Sequence, residues 1–169
     1  MTRIELLKCL KGFTETATGD IILPVRQQEE DEEPSAPRAA EVHIMRLPDS
    51  SAAKKKAPYI IHQVITGKDI RPPGDKMTSN AVVRSIFCVY NENEREGSLA
   101  LLGLIERQRI GLLKQVVIGK QFQLDLMAGV ETLIYPDDTA PYYAGEMISA
   151  WIIPGIEREV DFYGEKTKG

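Results

Sequence analysis

The sequence predicts an α+β domain: a mostly antiparallel sheet with about two helices packed on one face, plus a long flexible insertion. Three observations predict it. Two long stretches, Val82 to Tyr90 and Tyr143 to Ile153, alternate in apolar residues with the period of two that a strand requires. Between them, SLALLGLIERQRIGLLKQ (Ser98 to Gln115) repeats its leucines and isoleucines at helical intervals. The elements come in runs and not in strict β-α-β alternation, which favours α+β over a parallel doubly wound sheet.

From the start of the chain, Thr2 and Glu5 stand in capping-box spacing. Ile4, Leu7 and Leu10 follow at helical intervals, with Leu6 and Phe13 widening the stripe, and the helix is expected to end near Gly12. Ile21 to Val25 is a short apolar run whose Pro24 restricts it to an edge strand. Residues 1–25 thus form the N-terminal helix and edge strand of a single domain.

Residues 26–57 read as an acidic-to-basic insertion. Glu29, Glu30, Asp31, Glu32 and Glu33 form an acidic block, Pro34 and Pro37 follow, and the segment closes on Lys54, Lys55 and Lys56. Clustered charge and low hydrophobicity predict mobility. Within it, EVHIMRLP (Glu41 to Pro48) alternates weakly and could add a short strand.

The core is expected over residues 58–160. Tyr59 to Thr66 has apolar groups on both faces, which suits a central strand, and Gly67-Lys68-Asp69 is expected to break it. Val82, Ile86, Cys88 and Tyr90 share one strand face; Val83, Phe87 and Val89 share the other. Ser98 is a plausible N-cap for the long helix. Leu101, Leu102, Ile105, Leu112, Leu113 and Val116 are expected to form its buried side, with Glu106, Arg107 and Lys114 in water. Gly103 and Gly111 inside the helix suggest close packing against a sheet. Gln121 to Leu126 and Val130 to Tyr135 are further strands, the second stopped by Pro136. In the last strand Tyr143, Met147, Trp151 and Ile153 face one way, and Glu146, Ile148, Ala150 and Ile152 the other. Residues 161–169 form a polar tail.

Composition limits the function. The 169 residues carry a net charge of −4, so no sequence-wide basic field exists to hold nucleic acid. The two cysteines, Cys9 and Cys88, fall in apolar patterns and read as buried free thiols, with no metal-binding spacing. The first residues lack the features of a signal peptide, and no segment reaches the roughly 20 apolar residues that span a bilayer. A reducing cytoplasm and no membrane partner are therefore expected.

Candidate chemistry is sparse. His62 lies in a strand and His43 in the insertion, neither with a partner at useful spacing, so a satisfied or solvent-facing role is the expectation. Asp137 and Asp138, with Glu146, could hold a divalent cation or work as acid and base in a small metal-dependent hydrolase. Following Tyr135-Pro136, the two aspartates suit a turn better. Glycine-rich phosphate loops and nucleophile elbows are absent, and no cofactor is expected. Tyr142 and Tyr143, after Pro141, are the candidate interface residues, whereas Met147 and Trp151 read as core. The lysines Lys54, Lys55 and Lys56 could pair with the block Glu29, Glu30, Asp31, Glu32, Glu33 on the same chain or a neighbouring one.

The order from about Pro58 to Val160 — strand, long strand leaving through VYNENEREG, amphipathic helix, then strands closing on PYYAGEMISAWIIPGIEREV — resembles siphophage tail terminator and tail-completion (head-tail joining) proteins. That resemblance implies a non-enzymatic virion subunit that forms a homo-oligomeric ring, commonly a hexamer. The ring would cap the tail tube, end its polymerisation and present a surface to the head-tail connector. DNA would pass through its lumen without sequence-specific binding. The chain would then occupy the host cytoplasm during assembly and the head-proximal end of the tail afterwards. A head-closure or connector ring protein is the alternative within that class. The small hydrolase, and a monomeric binding module whose acidic arm recruits a basic partner, are alternatives outside it.

Overall fold

The computed structural model describes residues 1–27, 33–48, 56–136 and 139–156. Among the described residues, two helices and seven strands follow one another as α1 (Arg3–Thr18), β1 (Glu41–Ile44), β2 (Tyr59–Ile70), β3 (Thr78–Tyr90), α2 (Glu94–Gln115), β4 (Val117–Ile118), β5 (Phe122–Leu124), β6 (Val130–Ile134) and β7 (Tyr142–Ile153). All strands belong to one sheet, ordered β1-β2-β3-β7-β5-β4, with β6 also paired to β7. The fold is α+β. Its sheet is mixed and not purely antiparallel: β1 runs parallel to β2, while the other five pairings are antiparallel.

α1 starts as its sequence dictates. The Thr2 hydroxyl accepts from the Glu5 amide at 3.2 Å and the Glu5 carboxylate accepts from the Thr2 amide at 2.6 Å, which closes the capping box. The helix does not stop near Gly12 but runs on to Thr18. Thr14 and Thr18 continue the inward stripe of Leu7 and Leu10, and their hydroxyls donate to the Leu10 and Thr14 carbonyls at 2.8 Å each. Two threonines buried in this way hide the end of the helix from a reading based on apolar spacing.

Ile21 to Val25 is not a strand. It contributes one isolated antiparallel bridge, Leu23 to Arg38. Arg38 then anchors what was expected to be a flexible insertion: its guanidinium donates to the Pro58 and Lys56 carbonyls at 3.0 and 2.9 Å. Glu41–Ile44 adds to the sheet as β1, and Val42, Leu47 and Ala57 are buried. The described parts of residues 26–57 therefore belong to the domain.

β2 also runs through its expected break. Gly67 pairs with Ala81 in mid-strand, and the Arg3 side chain lies against it where a Cβ would collide. Here glycine permits a close approach and not a turn. The Arg3 guanidinium donates to the Asn80 carbonyl at 3.2 Å and to Asp69 at 3.0 Å, tying α1 to the β2–β3 hairpin.

α2 differs most from expectation. Its N-cap is Asn93, five residues before Ser98; the Asn93 side chain accepts from the Arg95 and Glu96 amides at 3.1 and 3.2 Å. The buried face is Gly97, Leu101, Leu104, Ile105, Gln108 and Leu112, while Val116 is the C-cap. Leu102 and Leu113 are exposed. The close approach to the sheet occurs at Gly97, whose missing Cβ leaves room for the Tyr143 ring; Gly111 packs on Phe13 of α1, and Gly103 has nothing within 4 Å.

The main core lies between the helices and one sheet face, and includes Leu6, Leu10, Ile60, Phe87, Leu101, Ile105, Met147 and Trp151. On the reverse face, Leu47, Ala57, Tyr59, Ile61, Cys88, Tyr90 and Tyr142 form a smaller cluster at one end only.

Candidate functional site

The arrangement that most resembles chemistry is a chain of polar groups in the core. His62 on β2 and Ser85 on β3 are direct cross-strand partners. Both point at the helices, because their neighbours Ile61 and Ile86 point at the reverse face. His62 Nδ1 lies 2.7 Å from Ser85 Oγ, and His62 Nε2 lies 2.8 Å from Thr14 Oγ1. Gln108 of α2 donates to Thr14 Oγ1 at 2.8 Å. A serine, a histidine and a third polar group in line are the parts of a nucleophilic relay.

Burial decides what this relay can do. Thr14, His62, Ser85 and Gln108 are all 0% exposed, so no substrate reaches the serine. Desolvation pushes the His62 pKa down to about 3, so the ring is neutral at physiological pH and bonded on both nitrogens. Its hydrogen-bond partners belong to α1 and β3, and Thr14 passes the chain on to α2. The network therefore clips two helices to two strands. His62 is a satisfied histidine, as expected from its lack of a partner motif; its three neighbours could not be found from spacing, since they are distant in the chain.

The carboxylate candidates do not assemble among the described residues. Asp137 and Asp138 lie outside them. Glu146 accepts from the Tyr135 hydroxyl at 2.6 Å, and burial together with that carboxylate pushes the tyrosine up to about 12. Among the described residues no three His, Cys, Asp or Glu side chains group as a metal site. Cys9 and Cys88 are not joined in a disulfide; Cys88 is buried and Cys9 partly so.

Tyr142 and Tyr143 are both engaged inside the subunit. Tyr142 is 8% exposed, stacks at a tilt on Tyr90 with centroids 5.5 Å apart, and accepts from the Arg26 guanidinium at 2.9 Å. Tyr143 faces the helices and fills the space above Gly97. Glu29, Glu30, Asp31, Glu32, Lys54 and Lys55 lie outside the described residues. Glu33 is exposed, and the Lys56 ammonium reaches the Pro48 carbonyl.

The surface is more telling than the interior. Beyond the small reverse-face cluster, Val82, Ile148 and Ala150 are half-buried, while Leu133 and Ile152 are 52% and 42% exposed. This open area is bounded by β6, which pairs only with β7, and by the stretch of β2 beyond its partner β1, where Ile65 and Ile70 are exposed. Both strand edges carry backbone groups with no strand partner among the described residues. No described helix is long and apolar enough to cross a membrane.

No family model matches the chain, and no curated protein matches it.

Proposed function

We propose that the chain is a structural virion protein: a tail terminator subunit that associates into a ring, caps the tail tube and offers a head-joining surface. The observation that carries the reading is the half-open reverse face of the sheet, bordered by unpaired strand edges on opposite sides. The face mixes Val82, Ile148, Ile152 and Leu133 with the charged Arg84, Glu131 and Glu146, a composition that suits an interaction surface. A strand edge is a ready template for another chain. Two different edges at opposite ends of one sheet suit head-to-tail contacts, which close into a ring when the rotation between subunits allows. A hexamer, the tail tube protein and the head-tail connector as neighbours, and passage of DNA through an acidic, non-adhesive lumen belong to the same proposal. So does the assignment as a non-enzyme located at the head-proximal end of the tail.

The test is electron microscopy of tails assembled without this protein. Abnormally long tubes are expected, because nothing would end polymerisation. Tubes of normal length that fail to join heads would favour a connector ring instead. For the purified protein, mass measurement with tube protein present is expected to give a ring, and Ile148→Asp, at the centre of the open face, to prevent it. A ring that forms equally well with Ile148→Asp would remove the surface from the argument.

A further inference from the structure

α2 has two apolar faces, and only one is covered. With about 100° per residue, Leu101, Leu104, Ile105, Gln108 and Leu112 fall on the side buried against the sheet. Diametrically opposite, Leu99, Leu102, Ile110 and Leu113 form a second stripe, 61%, 45%, 42% and 37% exposed. A helix apolar on both sides needs cover on both. An isolated subunit supplies it on one.

The outer stripe is arranged symmetrically about Glu106. Leu99 and Leu113 lie seven residues to either side of it, and Leu102 and Ile110 lie four. Seven and four are the intervals at which residues return to the same helix face, so the stripe reads alike in both directions. Glu106 itself is matched locally: Arg109 donates to its two oxygens at 2.8 and 2.6 Å. The ends carry opposite net charge, the first turn combining Arg95 with two glutamates. Glu94 and Glu96 occupy the first turn and Lys114 the last, and Glu96 and Lys114 fall on the same flank of the stripe.

We propose that this stripe is a self-association surface, on which α2 of a second copy of this chain packs antiparallel about a two-fold axis near Glu106. The antiparallel arrangement sets Leu99 against the partner's Leu113 and Leu102 near the partner's Arg109 and Leu113. Ile110 enters the open space over the partner's Gly103, where no atom lies within 4 Å. Glu96 of each copy comes beside Lys114 of the other, once on each side of the axis. The contact is isologous, since each surface meets itself. A parallel arrangement would place the acidic first turns together and the basic last turns together. Charge therefore selects the antiparallel one. The surface is separate from the sheet edges, so the proposal does not depend on the ring.

Sedimentation across a concentration series tests it. The wild-type chain is expected to show a reversible dimer. Leu102→Asp is expected to weaken it by roughly 100-fold or more, with an unchanged thermal melt at concentrations where the wild-type chain is monomeric, because Leu102 is exposed. Glu96→Lys and Lys114→Glu are each expected to weaken it roughly three- to tenfold. The double exchange should restore it, because the pair is then reversed and intact. A wild-type chain that stays monomeric overturns the proposal. So does a dimer that tolerates Leu102→Asp, or single charge reversals that the double exchange fails to rescue. Loss of association with Ile148→Asp but not with Leu102→Asp would leave the ring reading standing and remove this one.

Discussion

The two faces of the sheet are made from the same strands but are covered to different degrees. On the helix side, Val83, Phe87, Met147 and Trp151 are fully buried, and even the polar members Ser85 and Ser149 have hydrogen-bond partners. On the reverse side, residues from the same two strands, Val82, Arg84, Ile148 and Ala150, remain half-buried, and Ile152 is exposed. Apolar character is thus similar on both faces, while burial is not. One face is covered by folding alone; the other stays partly open in the subunit, and alternation in the sequence cannot tell them apart.

The sharpest way to break this comparison is to truncate neighbours on opposite faces. Trp151 is 0% exposed and its indole N–H donates to Ser149 Oγ at 2.9 Å. Trp151→Ala is expected to cost about 3–5 kcal/mol, from lost burial and the cavity left behind. Ile152→Ala, one residue on, should cost the monomer about 1 kcal/mol or less, since it is already 42% exposed. Urea titration of both variants measures the difference. Comparable losses would mean that the reverse face is covered within the subunit.

The helix side has its own weak point in acid. His62 has a folded pKa of about 3 against an ordinary value of 6.5. The unfolded chain therefore binds a proton first as pH falls. The stabilisation is fully present above about pH 6.5 and is lost at lower pH, at about 1.4 kcal/mol per unit. Between pH 6.5 and 5, before most carboxylates titrate, His62 is expected to remove about 2 kcal/mol. His62→Gln can keep hydrogen bonds to Thr14 and Ser85 but cannot titrate. Its stability is expected to be lower at pH 7 and flatter across this window. An equally steep fall in the variant would place the acid sensitivity elsewhere.

Much of this architecture was legible from local signals. The capping box at Thr2 and Glu5 needs only residues three apart, and the alternation in β3 and β7 needs only a period of two. What was not legible involves pairs distant in the chain or polar residues in apolar roles. Thr14 and Thr18 extend α1 because their hydroxyls return to the helix backbone. Gln108 sits on the buried face of α2, where Thr14 accepts from its amide across the core. The outer leucines of α2 were assigned inward because an apolar pattern does not say which of two faces the sheet will cover. The surroundings of Tyr142 were hidden for the same reason: it follows a proline, and Arg26 and Tyr90 reach it from elsewhere in the sequence.

The glycines of α2 give the smallest effect and the finest discrimination between covered and open sides. Sequence alone treats helix glycines as equivalent, each destabilising relative to alanine by about 1 kcal/mol. Their surroundings give them opposite signs. At Gly97 a Cβ would strike the ring of Tyr143, so Gly97→Ala must move either the ring or the helix, at a cost of about 1–3 kcal/mol. At Gly103 a Cβ meets nothing within 4 Å, so Gly103→Ala is expected to stabilise the monomer by about 0.5–1 kcal/mol through the entropy of the unfolded chain. If α2 pairs with a second copy, Gly103→Ala carries a further consequence: its methyl fills the space that the partner's Ile110 would enter. A variant with a higher melting temperature and a weaker dimer is therefore expected. A gain in stability with dimerisation unchanged would mean that the open space over Gly103 faces only water.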